Sequence, residues 1–530
     1  MLIAPDSTIR FYSGIPLDNT YNHTLWFDSI DWQNSYFHYG NNKLKRTVTG
    51  STYQRVNNNR IRVPFSADEL YDCNYLAFQN TGFGNKWFYA FVNKVEYVNN
   101  RTCEVEFEID VMQTYLFDID LGQCYVEREH SSVDTIGSNI VDENIAIGDI
   151  VCSSIQGTSK FDDYVCVIAT AYDPDNPDSV AGGYQAGLFS GVKYVAGAIN
   201  SETGVNKLLQ FLRDTVNANL TDSVVSLFVM PQKFYTSGDM PVVETERVKK
   251  VTDIDGYVPR NNKLLTYPYN YLCVDCGNNS AIYRYEWFEG AYCDFSEVGT
   301  VCCNPQIGLI PMYYDGSNGL NYTEKLVMSD FPQVAFTIDT YRAWVAQDAT
   351  SSAIPALAGL TSLITGMASS TGDAPQAGSL TGTATLATGL ATGNAPLILA
   401  GGLATANSLV TMNKARNKAP HAVGVNSGSL DVATRSKNFY FKAMHITKEY
   451  ARMIDGYFDM FGYATKEVKI PNRAVRPHWN YVKTSGCVIY QAKAPVDDVK
   501  KVCAIYDKGI TFWKNPNEVG NYSFDNTISG

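Results

Sequence analysis

Hydrophobic and polar positions in the first 130 residues alternate with a period of two, the spacing of a strand with one face buried. The run 86–92 (Lys-Trp-Phe-Tyr-Ala-Phe-Val) continues through 94–98 to Asn99-Asn100-Arg101, and a second strand is predicted from Thr102 to Val111. An Asn-rich turn between aromatic and β-branched runs is a hairpin signal. In the second strand Cys103, Val105, Phe107, Ile109 and Val111 fall on one face, and Glu104, Glu106, Glu108 and Asp110 on the other. That acidic stripe reads either as a solvated outer face or as the lining of a channel in a ring-shaped oligomer.

Short strands such as 164–169 alternate with turns such as Asp173-Pro174-Asp175-Asn176-Pro177 as far as residue 345. One helix is predicted over 201–214, capped by Ser201, with Val205, Leu208, Leu209 and Leu212 at helical spacing. Strands return at 438–446 and 487–492, and a short helix is predicted from Ala451 to Tyr463. The expected fold is mainly β, with antiparallel sheets in several domains.

One stretch breaks this pattern. From Ala349 to Asn413 the only ionisable side chain is Asp373, and Ala, Gly, Leu, Thr and Ser make up almost everything else. Its first apolar segment, Ala353 to Ala368, carries Ile354, Leu357, Leu360, Leu363, Ile364 and Met367. The second, Ala395 to Val410, carries Leu397, Ile398, Leu399, Leu403, Leu409 and Val410. Between them lies a Gly/Ser/Thr-rich middle with a repeated Leu-Ala-Thr-Gly, and Lys414, Arg416 and Lys418 follow. Each segment is short of the roughly twenty residues of a spanning helix. Six Leu or Ile contribute only about −3 kcal/mol to insertion, so one copy inserts marginally at most. Several copies in a ring would add, and small residues would let them pack closely in lipid. The tract is too aliphatic for a solvated linker. A buried core hairpin is the strongest competing reading, ahead of a permanent anchor.

Composition narrows the classes. A chain of 530 residues exceeds one core, so two to four domains are expected. The formal charge of −12 argues against clamping nucleic acid through its phosphates, but would let DNA slide past as a passenger. Residues 1–6 offer neither a basic n-region nor an apolar h-region, so export by a signal peptide is not expected; the chain should be made soluble in a cytoplasm. Among the twelve cysteines, Cys273-Val274-Asp275-Cys276 with Cys293, Cys302 and Cys303 comes nearest to a zinc pattern. The alternation of 267–276 sends Cys273 and Cys276 to opposite faces, which favours reduced cysteine as a small apolar filler. No phosphate loop, H-E-x-x-H or G-x-S-x-G is present, and the six histidines lack ligand spacing. No catalytic residue, metal or cofactor is expected.

The N-terminal third resembles the tail knob (distal tail tube) proteins of small short-tailed phages of the phi29 type. The residues that carry this include Gly14-Ile15-Pro16-Leu17-Asp18, Tyr53-Gln54-Arg55 before Ile61-Arg62-Val63-Pro64, and Tyr71-Asp72-Cys73-Asn74-Tyr75-Leu76. The most characteristic are residues 107–115 (Phe-Glu-Ile-Asp-Val-Met-Gln-Thr-Tyr) and 125–130 (Tyr-Val-Glu-Arg-Glu-His). Past residue 345 the resemblance is one of layout. It implies a barrel-like tube domain plus a knob domain: residues 1–130 and 421–530 in the tube, 131–345 in the knob, and 346–420 as a long apolar loop. It further implies a hexameric virion protein at the tail tip, joined to a neighbouring tail tube or lower collar protein. Genomic double-stranded DNA would pass through the lumen. The loops would plug the tube, then leave it to penetrate the host cytoplasmic membrane during DNA ejection. The competing function is a cell-wall-binding adhesin without membrane activity; an envelope enzyme is third.

Overall fold

A computed structural model describes residues 6–39, 42–51, 59–158, 163–171, 183–185, 188–190, 193–218, 220, 223–235, 243–277, 279–300, 305–329, 331, 333–336, 422–425 and 437–528. The chain divides into two compact units: 1–149 with 253–269 and 446–530, and 150–252 with 270–445.

The first unit is built from both ends of the chain. Its six-stranded antiparallel sheet runs in the order Leu44–Ser51, Ser7–Ser13, Cys73–Asn80, Trp87–Asn99, Thr102–Ile109, Arg60–Val63. The predicted hairpin is there, with its turn at residues 100 and 101. Five of these strands bury side chains in one apolar cluster, among them Phe11, Leu76, Phe88, Phe107 and Ile61. Tyr12, Tyr75, Tyr89 and Phe91 point the other way, into a second cluster with Trp479 and Trp513. This two-sided burial explains why 75–78 and 88–91 read as continuous apolar runs rather than alternating ones.

A five-stranded sheet follows, in the order Thr24–Leu25, Ile510–Trp513, Trp479–Ser485, Cys124–Glu129, Tyr463–Lys469. Its first pair is parallel and joins the two chain ends, and the Trp513 indole donates to the Asn22 carbonyl at 3.0 Å. The helix predicted from Ala451 spans Lys448–Phe461. It ends at Gly462, whose φ of 65° suits glycine. A Cβ there would lie 2.2 Å from the Glu129 carbonyl oxygen.

Residues 253–269 belong to this first unit although the chain on both sides of them belongs to the second. Buried Asp455, on the Lys448–Phe461 helix, accepts from the Tyr257 hydroxyl (2.6 Å), the Arg260 amide (2.9 Å), and the Asn261 amide (3.0 Å) and side chain (2.8 Å). Asp459, one turn on, accepts from Asn261 and pairs with Arg260. Burial pushes the Asp459 carboxyl up to about 6.

Among the described residues the second unit holds three larger sheets. One orders Lys193–Ala198, Tyr164–Thr170, Val224–Pro231, Gln333–Phe336, Ala422–Val425. Every residue of Tyr164–Thr170 is buried, as its uninterrupted apolar run requires. The predicted helix is Glu202–Asn217, and Val205, Leu208, Leu209 and Leu212 are its buried stripe. The Gly204 amide donates to Ser201 Oγ at 3.4 Å, so the predicted cap is in place but long. The other sheets are Ile150–Gly157, Tyr440–Ile446, Asn270–Asp275, Ser280–Tyr283, and Val243–Lys249, Tyr292–Thr300, Gln306–Met312, Leu326–Met328. Cys276 and Cys293 sit in the apolar cluster of this unit, while Cys273 is half-buried. Cys302 and Cys303 lie outside the described residues.

Candidate functional site

Two features carried the functional reading: the acidic stripe and the apolar tract. On Thr102–Ile109 the alternation holds, with Cys103, Val105, Phe107 and Ile109 buried and Glu104, Glu106 and Glu108 half-exposed. The neighbouring strands change what that outer face is. Glu104 lies opposite Arg62 on one side and Glu96 on the other; Glu106 lies between Arg60 and Lys94. Arg60 reaches Glu106 at 2.7 Å, Glu104 at 3.6 Å and Glu96 at 3.9 Å, while Arg62 reaches Glu104 at 3.2 Å and Lys94 pairs with Glu96. Glu96 and Glu104 are like charges directly opposite, a destabilising placement that Arg60 and Lys94 offset. The face is a ladder of alternating sign, not an acidic wall.

Asp110 does not belong to it. The strand ends at Ile109, and Asp110 is buried as the N-cap of the helix Val111–Tyr115. One carboxylate oxygen accepts from the Met112 and Gln113 amides, each at 3.1 Å, and the other from the Tyr75 hydroxyl at 2.8 Å. Burial outweighs these bonds and raises the carboxyl to about 6. Alternation placed Asp110 outside because it assumed the strand continued to Val111. The contrary signal was an Asp three residues ahead of Gln113 in a helix-compatible run, the position of an N-cap. Arg60 and Arg62 were also legible: an Arg-x-Arg strand of opposite sign to Glu-x-Glu is a ready cross-strand partner.

The tract residues Ile354, Leu357, Leu360, Leu363, Ile364, Met367, Leu397, Ile398, Leu399, Leu403, Leu409 and Val410 lie outside the described residues. What is described is the base from which the segment departs and to which it returns. Gln333–Phe336 and Ala422–Val425 pair antiparallel, with Phe336 opposite Ala422 and Gln333 opposite Val425. The strands that flank residues 337–421 are therefore neighbours in one sheet. None of the described helices is long and apolar enough to cross a membrane.

Two of the histidines serve the fold. His130 accepts from the Tyr481 amide at Nδ1 (2.8 Å) and donates from Nε2 to the Asp459 carbonyl (3.0 Å), which fixes the neutral tautomer. Burial holds its pKa down at about 3. His38, stacked on Trp87, is likewise lowered to about 3 by burial. Among the described residues no group of His, Cys, Asp or Glu side chains is arranged to hold a metal ion.

Comparison with known proteins accounts for both ends of the chain. Residues 233–527 match the family described as the C-terminal domain of the tail knob protein gp9 of Bacillus phage phi29, and residues 5–120 match the caudoviral major tail protein N-terminus. The chain is 24% identical to the tail knob protein gp9 of Bacillus phage phi29 and 26% identical to that of Bacillus phage B103, over 98% of each chain. The solved tail knob protein gp12 of bacteriophage C1 superposes with a TM-score of 0.57 at 14% identity, covering 97% of this chain and 98% of that one, which shows a shared fold. These relatives are structural tail proteins rather than members of an enzyme family. The chain belongs to the phi29-type tail knob proteins, structural components of the phage tail.

Proposed function

We propose that copies of this chain form a ring, a hexamer, through which genomic double-stranded DNA leaves the virion, and that residues 353–410 are a plug released into the host cytoplasmic membrane. Residues 1–130 and 421–530 contribute the tube and 131–345 the knob, with a neighbouring tail tube or lower collar protein above. The observation that carries this is the charge-poor tract in a tail knob chain, set on a paired β base at Phe336 and Ala422. A closed base lets a long insert leave and return without disturbing the sheet, because loop-closure entropy grows only slowly with length. Marginal insertion energy per copy suits a loop that stays with the protein until several act together.

The charge ladder sharpens the conduit. If the Glu104–Glu106–Glu108 face lines the lumen, the duplex meets alternating signs. It is then neither clamped as on a basic surface nor strongly repelled.

The test is dye release from liposomes by full-length protein and by a variant with 353–410 replaced by a short Gly-Ser linker. Release by the full-length protein alone supports the loop; release that survives the deletion removes it.

A further inference from the structure

A cavity within the first unit has no part in the reading above. It is an open cleft of about 490 Å³, within the size range of small-ligand sites. Its floor is a row across three strands, Ala464, Arg128 and Lys483, in register. The Lys448–Phe461 helix supplies Tyr457 and Phe461 as a wall, and Lys508 ends the helix Val496–Lys508 at the rim.

Three observations point to its ligand. First, the lining holds four cations (Arg128, Lys466, Lys483, Lys508) against two carboxylates (Glu127, Glu143), an excess of positive charge on a chain whose net charge is −12. Glu143 is spent on Arg128, Lys263 and the Ala464 amide, while Glu127 pairs with Lys483 through Oε2 at 2.6 Å and keeps Oε1 without a partner among the described residues. Lys466 and Lys508 therefore meet no carboxylate among the described residues. Secondly, Lys466 is held at a φ of 50° in a β-bulge between Ala464 and Glu467. Such a conformation costs energy in a non-glycine residue and re-aims a side chain, here into the cleft. The Lys466 ammonium is steadied by the Asp142 carbonyl at 2.6 Å. Thirdly, the cations are interleaved with aromatic rings: Tyr125 is 41% exposed at the rim, and Phe461 packs edge-on to Tyr481 with centroids 5.1 Å apart.

We propose that this cleft binds a phosphate-bearing saccharide. A sugar ring lays its C–H face on the aromatic wall, and its hydroxyls are served by the Glu127 carboxylate and the phenol groups. The phosphate takes the ammonium groups of Lys466 and Lys508, compact charges suited to an anion approached from several directions. Glu127 favours a sugar over a nucleic-acid strand, since a carboxylate accepts from hydroxyls but repels a run of phosphates.

The test is calorimetric titration of the full-length protein at low salt with glucose 1-phosphate, glucose, inorganic phosphate and an oligothymidylate. Saturable binding of glucose 1-phosphate is expected, with glucose and phosphate each weaker by about tenfold or more. Lys466→Gln and Lys508→Gln should each weaken it by about tenfold while leaving binding of uncharged glucose unchanged. Phe461→Ala should weaken both sugars; the two lysine variants keep the test valid if that variant is unstable. Comparison with a phosphodiester-linked glycan separates the sources: tighter binding of the polymer assigns a wall-type chain, equal binding a free sugar phosphate. No saturable binding, equal binding of bare phosphate, or preference for the oligothymidylate would overturn the proposal.

Discussion

The two units are held together by different physics. The second is dominated by one large apolar cluster, filled from Tyr164–Thr170, Val224–Pro231 and the Glu202–Asn217 helix. The first has two apolar clusters, and its more remote segments are also fastened by polar bonds, buried or partly buried; among the described residues the second has fewer of these, as between Asn438 and Thr158 across 280 residues. The Tyr115 hydroxyl donates to Asp498 across 383 residues, Trp513 to Asn22 across 491, and Asp455 gathers residues 257–261. Apolar burial is non-directional and tolerates an excursion at a sheet end, which is where the 337–421 stretch departs. Buried polar bonds are directional and fail when one partner is removed. The difference suggests a division of labour: a first unit that must hold both chain ends in register, and a second that carries the insert.

That comparison breaks most plainly at one residue in each unit. Asp455→Ala leaves several buried donors unpaired and should destabilise the first unit by about 3–5 kcal/mol. Phe228→Ala, in the core of the second, should cost a similar amount, about 3–5 kcal/mol, through lost burial and a cavity. Calorimetry should show each loss on a different part of the unfolding profile. Both variants lowering the same part would deny the distinction.

Acid should act on the polar fastenings. His130 has a folded pKa of about 3 against an ordinary 6.5, so its contribution is complete above 6.5 and is lost as pH falls towards 3. Asp459 runs the other way, since its folded value of about 6 lies above 3.8: its contribution is present below 3.8 and lost as pH rises through 6. The stability gap between the protein and His130→Gln should therefore shrink by a few kcal/mol from pH 7 to pH 4. A gap independent of pH would show that His130 is not held neutral.

The smallest effect belongs to the charge ladder. Arg60→Gln removes three exposed ion pairs and should shift the urea midpoint only slightly, and less still at high salt. A larger loss in urea unfolding would make the ladder a structural fastening rather than a surface pattern.

Local order was well written in the sequence. The hairpin at Trp87–Asn99 and Thr102–Ile109, and the helices Glu202–Asn217 and Lys448–Phe461, follow from local pattern, with an Asn-rich turn marking the hairpin and Ser201 the first helix's start. The last begins three residues before the expected Ala451, because apolar spacing does not mark a polar first turn such as Lys448-Glu449. Asp110 was misplaced where strand period gave way to a helix cap. The gathering of 257–261 by Asp455 and the Lys466 cleft depend on partners distant in sequence, which no local pattern encodes; of the ladder, the charge patterns of 60–62 and 104–106 were legible but their pairing was not. Of the tract, the composition was legible and the paired base was not, since Gln333–Phe336 and Ala422–Val425 are short strands that acquire meaning only from each other.

On the proposed function, the apolarity of 353–410 is what opens the membrane. The most direct measurement is dye release from liposomes by full-length protein beside the double variant Leu360→Asp and Leu399→Asp. One aspartate per segment adds about 3 kcal/mol to insertion and cancels the roughly −3 kcal/mol each segment brings. Release should fall to the level of the 353–410 deletion while both units unfold as before. Undiminished release by the double variant would contradict the account.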